Sequence, residues 1–129
     1  VTPQVSEINQ PAVASIDNVN MFSGLQASEI TSTTLASTSA TTIASHAAAT
    51  YRTVKYLVQL TQGTDYHSTE INLIHDGTTV YITEYGTLFD NAALGTFDAS
   101  ITSGNILLKL TPGSNTSLTA KVVSTAIPV

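Results

Sequence analysis

The sequence predicts an all-β protein, an antiparallel β-sandwich of jelly-roll-like or immunoglobulin-like kind that carries an extended N-terminal arm. Three observations predict it. The chain holds 22 Thr and 14 Ser but only four Lys and Arg together, and β-branched side chains suit a pleated surface while losing rotamers in a helix. Apolar and polar residues alternate with a period of two through most of the chain after Thr50. Turn residues punctuate those alternating runs at intervals of roughly 10–15 residues.

The first 50 of the 129 residues contain no Lys or Arg and no sustained apolar period. Pro3 and Pro11 disfavour both helix and paired strand at the start. Ser15 to Ile30 has the makings of a short helix, with Ser15 or Asp17 as cap and Ile16, Val19, Met21 and Phe22 as a loose stripe. Thr31 to Thr50 is nearly pure Thr, Ser and Ala, and reads as one or two extended segments or a flexible stalk, with strands available around Leu35 and Ile43. Fixing each backbone residue costs about 1–2 kcal/mol, and Ala or Thr returns little of the ~1.5–3 kcal/mol that a large buried side chain supplies. Residues 1–40 are therefore expected to form an arm ordered by a partner, and residues 41–129 the module. Val5, Ile8, Val13, Ile16, Val19, Phe22, Leu25 and Ile30 are the expected partner-binding plugs of the arm.

The sandwich proper is expected from Tyr51 to Ile127. Val54, Tyr56, Val58 and Leu60 alternate with Thr53, Lys55, Leu57 and Gln59, up to a turn at Gln62-Gly63-Thr64-Asp65. Tyr66 to His75 follows, with Ile71 and Leu73 on one face and Glu70 and Asn72 on the other. Asp76-Gly77 reads as a type I′ hairpin, which needs φ > 0 at both central residues. Thr78 to Tyr85 is the return strand, and Gly86 and Gly95 bracket a longer loop. Phe97, Ala99 and Ile101 lead to Ser103-Gly104-Asn105. Ile106, Leu108 and Leu110 lead to Pro112-Gly113-Ser114-Asn115, and Leu118, Ala120 and Val122 close the core. Val54, Val58, Ile71, Ile82, Phe97, Leu108 and Val122 are the expected buried set, because a one-residue slip would expose an entire face.

Composition excludes several functions. Four scattered cations against nine carboxylates cannot displace counterions from phosphates, so no nucleic-acid partner is expected, nor an anionic membrane surface. There is no cysteine, hence no disulfide or thiolate metal site. No apolar run approaches the roughly 18 residues of a membrane helix, and Val1-Thr2-Pro3-Gln4 lacks the layout of a signal peptide. His67, Glu70 and His75, with Asp65 or Asp76, supply ligand types for zinc, but they fall on both faces of one strand and its turns. They read as surface or turn residues, and no metal or cofactor is expected. His46 has no sequence partner. Glu70 and Glu84 are the one carboxylate pair worth weighing for glycoside chemistry, without any Trp to line a sugar cleft. Gly-x-Ser-x-Gly and dinucleotide or Walker glycine patterns are absent. A non-enzymatic protein is expected. Tyr51, Tyr56, Tyr66, Tyr81 and Tyr85 either plug the sandwich ends or, if several share an outer face, make a patch for a protein or a glycan. Asn115-Thr116-Ser117 matches a glycosylation sequon within a turn.

Four segments carry a family resemblance: Tyr51-Arg52-Thr53-Val54-Lys55-Tyr56-Leu57-Val58-Gln59, the run from Ile74 to Gly86, Leu94-Gly95-Thr96-Phe97-Asp98-Ala99, and Leu110-Thr111-Pro112-Gly113. Over residues 41–127 the chain resembles a β-rich module of virion structural proteins from marine tailed phages, especially those infecting cyanobacteria. The resemblance implies a part in virion assembly and leaves head, neck or fibre open; taken with the arm, it makes a capsid decoration or cement subunit that grips neighbours through its arm the expected role, with a neck or fibre component as the alternative. Its implied partners are other virion proteins, the major capsid protein and copies of itself. A carbohydrate-binding β-sandwich module is the alternative of a different class.

Overall fold

The computed structural model describes residues 29–129, and all its regular structure is β. Eight strands follow in order: β1 (Glu29–Leu35), β2 (Thr41–Ala47), β3 (Tyr51–Gln62), β4 (Asp65–His75), β5 (Val80–Phe89), β6 (Gly95–Thr102), β7 (Asn105–Pro112) and β8 (Leu118–Pro128). They form two antiparallel sheets, β1-β8-β3-β4-β5 and β2-β7-β6. First pairs with last and second with second-last, the nested pairing of a jelly roll. The β3-β4-β5 meander departs from it by widening one sheet.

Short turns set the registers. Gly63-Thr64 joins β3 to β4 with φ +62° at Gly63, the signature of a type II′ hairpin. The type I′ hairpin falls at Ser103-Gly104, where both residues have positive φ (51° and 79°). Asp76-Gly77 is not one. Only Gly77 has positive φ there, and Asp76 to Thr79 form a four-residue loop. The Asp76 carboxylate accepts the Thr78 and Thr79 amides at 2.9 and 2.7 Å, an Asx turn that removes the need for a second left-handed residue. Those amides also hold the Asp76 carboxyl below its ordinary pKa.

The core lies between the sheets and contains Val54, Tyr56, Val58, Leu60, Ile71, Leu73, Ile106, Leu108, Leu110, Leu118, Ala120 and Val122, all buried. Five of the seven side chains expected inside are there. Ile82 and Phe97 face the core but are only half-buried, because β5 and β6 are outermost strands with a neighbour on one side only.

Two further expectations change. Gly86 does not end its strand: β5 runs to Phe89, and Gly86 (φ +66°) sits in a bulge opposite Thr69, between the pairs Glu70–Tyr85 and Ser68–Leu88. The loop before Gly95 is correspondingly short. Secondly, Glu29 to Leu35, counted with the arm on sequence, pair with β8 of the same chain over seven residues, and Leu35 is buried. Thr31 Oγ1 also donates to the Ile43 carbonyl at 3.0 Å, tying β1 to β2. A Thr-rich segment with few large side chains is held here by ladder hydrogen bonds. The stretch around Ile43 is likewise a strand. The expected helix of Ser15 to Ile30 falls outside the described residues except for Glu29 and Ile30, which are strand.

Candidate functional site: the outer face of the five-stranded sheet

Paired residues of an antiparallel ladder share a face, so the registers assign the outer surface row by row. Ile30, Val123, Leu57, Glu70 and Tyr85 form one row across all five strands. Ile127, Thr53, Ile74 and Tyr81 form another, near the opposite end of the strands. Between them lies a polar row, Thr125, Lys55, Asn72 and Thr83. Rows on one face are about 7 Å apart. A shallow groove lined by Lys55, Asn72, Ile74, Tyr81, Thr83 and Ile127 follows the polar row.

The solvent face of an antiparallel sheet is ordinarily polar. Here Ile30, Leu57, Tyr66, Ile74, Tyr81, Tyr85, Leu88 and Ile127 all stand on it, with Leu57 at 50%, Ile74 at 48% and Ile127 at 57% exposure. Glu70 interrupts one apolar row and Thr53 the other, yet the face still exposes more large apolar side chains than a solvated sheet face usually does. Polar ties fix the aromatic members. Tyr85 donates to Glu70 at 3.3 Å, Glu70 pairs with Lys55 at 3.3 Å, and the ammonium lies 5.9 Å from the Tyr85 ring centre. The Tyr85 hydroxyl first, and the Glu70 carboxylate second, hold the Lys55 proton more tightly than usual. Tyr81 donates to Asp76 at 3.1 Å, which raises the phenol's pKa.

Of the expected arm plugs, Ile30 alone lies within the described residues. It projects outward from β1, 68% exposed, at the head of the first apolar row. Val5, Ile8, Val13, Ile16, Val19, Phe22 and Leu25 lie outside the described residues. Among the tyrosines, Tyr66, Tyr81 and Tyr85 share the outer face. Tyr56 is in the core, where burial raises its pKa, and Tyr51 packs against the core edge.

The histidines are neither surface residues nor ligands of one centre. His67 and His75 point inward near opposite ends of β4, and Glu70 points outward. No three His, Cys, Asp or Glu side chains converge among the described residues. His67 and His75 each hold a backbone amide. His67 Nδ1 accepts the Leu94 amide at 3.0 Å, which leaves the proton on Nε2, and its ring meets Phe89 and Phe97 edge-on. His75 Nδ1 accepts the Gly77 amide at 3.0 Å, and its Nε2 lies 2.6 Å from the Tyr51 carbonyl. Burial lowers the pKa of His46 and His67, partly countered by Glu29 and Glu84 respectively. Glu84 lies on the side of β5 opposite Glu70, bonded to Thr69 at 2.9 Å, so the two carboxylates cannot flank one substrate. The Asn115-Thr116-Ser117 turn is exposed.

Fold and face together define a β-sandwich module whose larger sheet exposes large apolar side chains on its outer surface. No family model matches the chain, and no curated protein does. Among solved structures it is similar to the tailspike protein of Acinetobacter baumannii phage AM24, with TM-score 0.49 and 11% identity over 79% of this chain and 26% of that one. It is also similar to the tailspike protein of Acinetobacter phage vB_ApiP_P1, with TM-score 0.43 and 20% identity over 88% of this chain and 24% of that one. The chain thus spans about a quarter of the length of these tailspike chains.

Proposed function

We propose that this chain is an auxiliary structural protein of a phage virion, a capsid decoration or cement subunit. It binds neighbouring subunits through its N-terminal arm and the outer face of its five-stranded sheet. One observation carries the reading: the arm runs directly into β1, and Ile30, one of its expected plugs, opens the exposed row that continues through Val123 and Leu57 to Tyr85. A protein neighbour that grips the arm would meet this row next, and its apolar side chains would find the aromatic and aliphatic surface typical of an interface core. The resemblance of four sequence segments to virion structural proteins supports the same class, with a neck or fibre position as the alternative within it.

A carbohydrate-binding module is the second reading, favoured by Tyr81 and Tyr85 on one face with Asn72 and Thr83 in the row between them. Rings with nearby amides and hydroxyls suit sugars as well as proteins.

The test is deletion of residues 1–28, which spares β1. The shortened chain is expected to melt like the full one and to be missing from particles of the phage that encodes it. Incorporation at the full-length level would refute the arm's role. Binding of the isolated full chain to a glycan panel, abolished by Tyr81→Ala, would favour the second reading.

A further inference from the structure

The five buried side-chain polar atoms without a hydrogen-bond partner are unevenly placed among the described residues. Four of them, His46 Nδ1 and Nε2, Tyr56 Oη and Ser124 Oγ, belong to one junction at the core. On the inner face of the larger sheet, Glu29, Ser124 and Tyr56 form a single cross-strand row over β1, β8 and β3. His46 reaches that row from β2 in the other sheet. Its ring centre is 6.1 Å from that of Tyr56, and its Nε2 is 3.3 Å from Glu29 Oε1, close but misaligned for a hydrogen bond. Tyr56, Ser124 and His46 are 0%, 1% and 5% exposed.

Nearly every buried polar group in a folded protein finds a partner, and four orphans in one place call for a shared one. The surroundings are small. Ser124 and Ala126 are the inward residues of β8 here, and Ala44 and Ala48 flank His46 in sequence. The guest must be small, must both donate and accept, and must fit where no side chain is charged except Glu29 at the rim. Water meets those terms, with about three hydrogen bonds per buried molecule.

We propose that this junction is a built hydration site, in which ordered water bridges Tyr56, Ser124 and His46 and so fastens β2 and the edge strand β1 to the centre of the larger sheet. Neutral His46 contributes one donor and one acceptor, and each hydroxyl contributes both.

The sign of a stability change separates this from an empty junction. Tyr56→Phe and Ser124→Ala, made singly and together in the full chain, are each expected to lower the denaturation midpoint, and the double variant to lose less than the sum of the two. A rise in midpoint for either single variant would mean that its hydroxyl was unpartnered, and would overturn the proposal. A crystal structure of the unaltered chain gives an independent reading. Water within hydrogen-bond distance of both Tyr56 Oη and Ser124 Oγ is the expected result, and a dry junction or a direct Tyr56–His46 bond overturns it.

Discussion

Leu57→Lys separates adhesion from folding. Leu57 is half exposed at the middle of the outer face, on the central strand β3. Full burial of a leucine side chain is worth about 1.5–3 kcal/mol, so its covered half contributes about 1 kcal/mol to the fold. A lysine keeps methylenes over the same surface. It would also stand directly opposite Glu70, a favourable cross-strand pair of about 0.2–1 kcal/mol. The folding cost is then below about 1 kcal/mol. In a complex covering the face, the other half of the leucine would add about 1 kcal/mol, and taking the ammonium out of water, even beside Glu70, would cost several more. A loss of about 3 kcal/mol or more lowers affinity at least a hundredfold. The assay pairs a thermal melt of the variant with its yield in purified particles. A normal melt with a depleted particle fraction is expected. Undiminished incorporation would refute the outer face as the interface, and an unfolded variant would refute the placement of Leu57 on it.

Other outcomes test the framework of the fold. Gly95→Ala should destabilise by about 1–3 kcal/mol, because its new Cβ would lie 2.7 Å from Leu110 Cδ1 and 2.8 Å from the Thr111 carbonyl oxygen. Gly63→Ala meets open space, so only its φ of +62° resists, at about 1–2 kcal/mol; chemical denaturation orders the pair. Leu108→Ala in the closed core is expected to cost about 2–5 kcal/mol, and Phe97→Ala less than the about 3–5 kcal/mol of a fully buried ring, since Phe97 is half-buried on an edge strand. The buried histidines set a pH dependence. His46 and His67 have pKa values below 6.5 in the folded chain, so the unfolded chain takes up protons first as pH falls below that value. Their contribution is complete above 6.5 and declines beneath it, so the melting temperature should drop from about pH 7 to about 5.5. A melting temperature that holds or rises across that window would contradict the assignment.

Much of the larger sheet was legible because its strands alternate cleanly. Val54, Tyr56, Val58 and Leu60 on β3, and Ile71 and Leu73 on β4, occupy the inner phase without interruption. What escaped depends on partners remote in sequence. Glu29 to Leu35 has Thr and Ser between Ile30 and Leu35, so the sequence offered a strand only around Leu35, and the whole segment becomes one because β8, nearly 90 residues later, offers a free edge. The histidines read as surface residues because their partners, the Leu94 amide and the Tyr51 carbonyl, are backbone groups that no side-chain pattern reveals. Asp76-Gly77 carried a hairpin signal that the Asp76 side chain redirected into a wider loop.

The outer face shows why alternation alone undercounts surfaces of this kind. On β3 the outward phase is Thr53, Lys55, Leu57 and Gln59, where one leucine among polar residues looks incidental. The row exists only once the registers align Leu57 with Val123 and Ile30 on one side and reach Tyr85 on the other. The bulge at Gly86 extends the same face. In an unbroken strand, Tyr85 and Leu88 are three apart and point to opposite sides. The bulged pairing puts Tyr85 beside Glu70 and Leu88 beside Ser68, so both face outward. It also turns Thr87 inward, where its hydroxyl meets Thr69 at 2.9 Å, and sets Phe89 edge-on against His67. One left-handed glycine thus adds Leu88, 70% exposed, to the apolar outer face, while Phe89, itself half exposed, turns to the opposite side against His67. A strand bulged so that a large apolar side chain meets solvent is what the proposed covering of this face by a partner calls for.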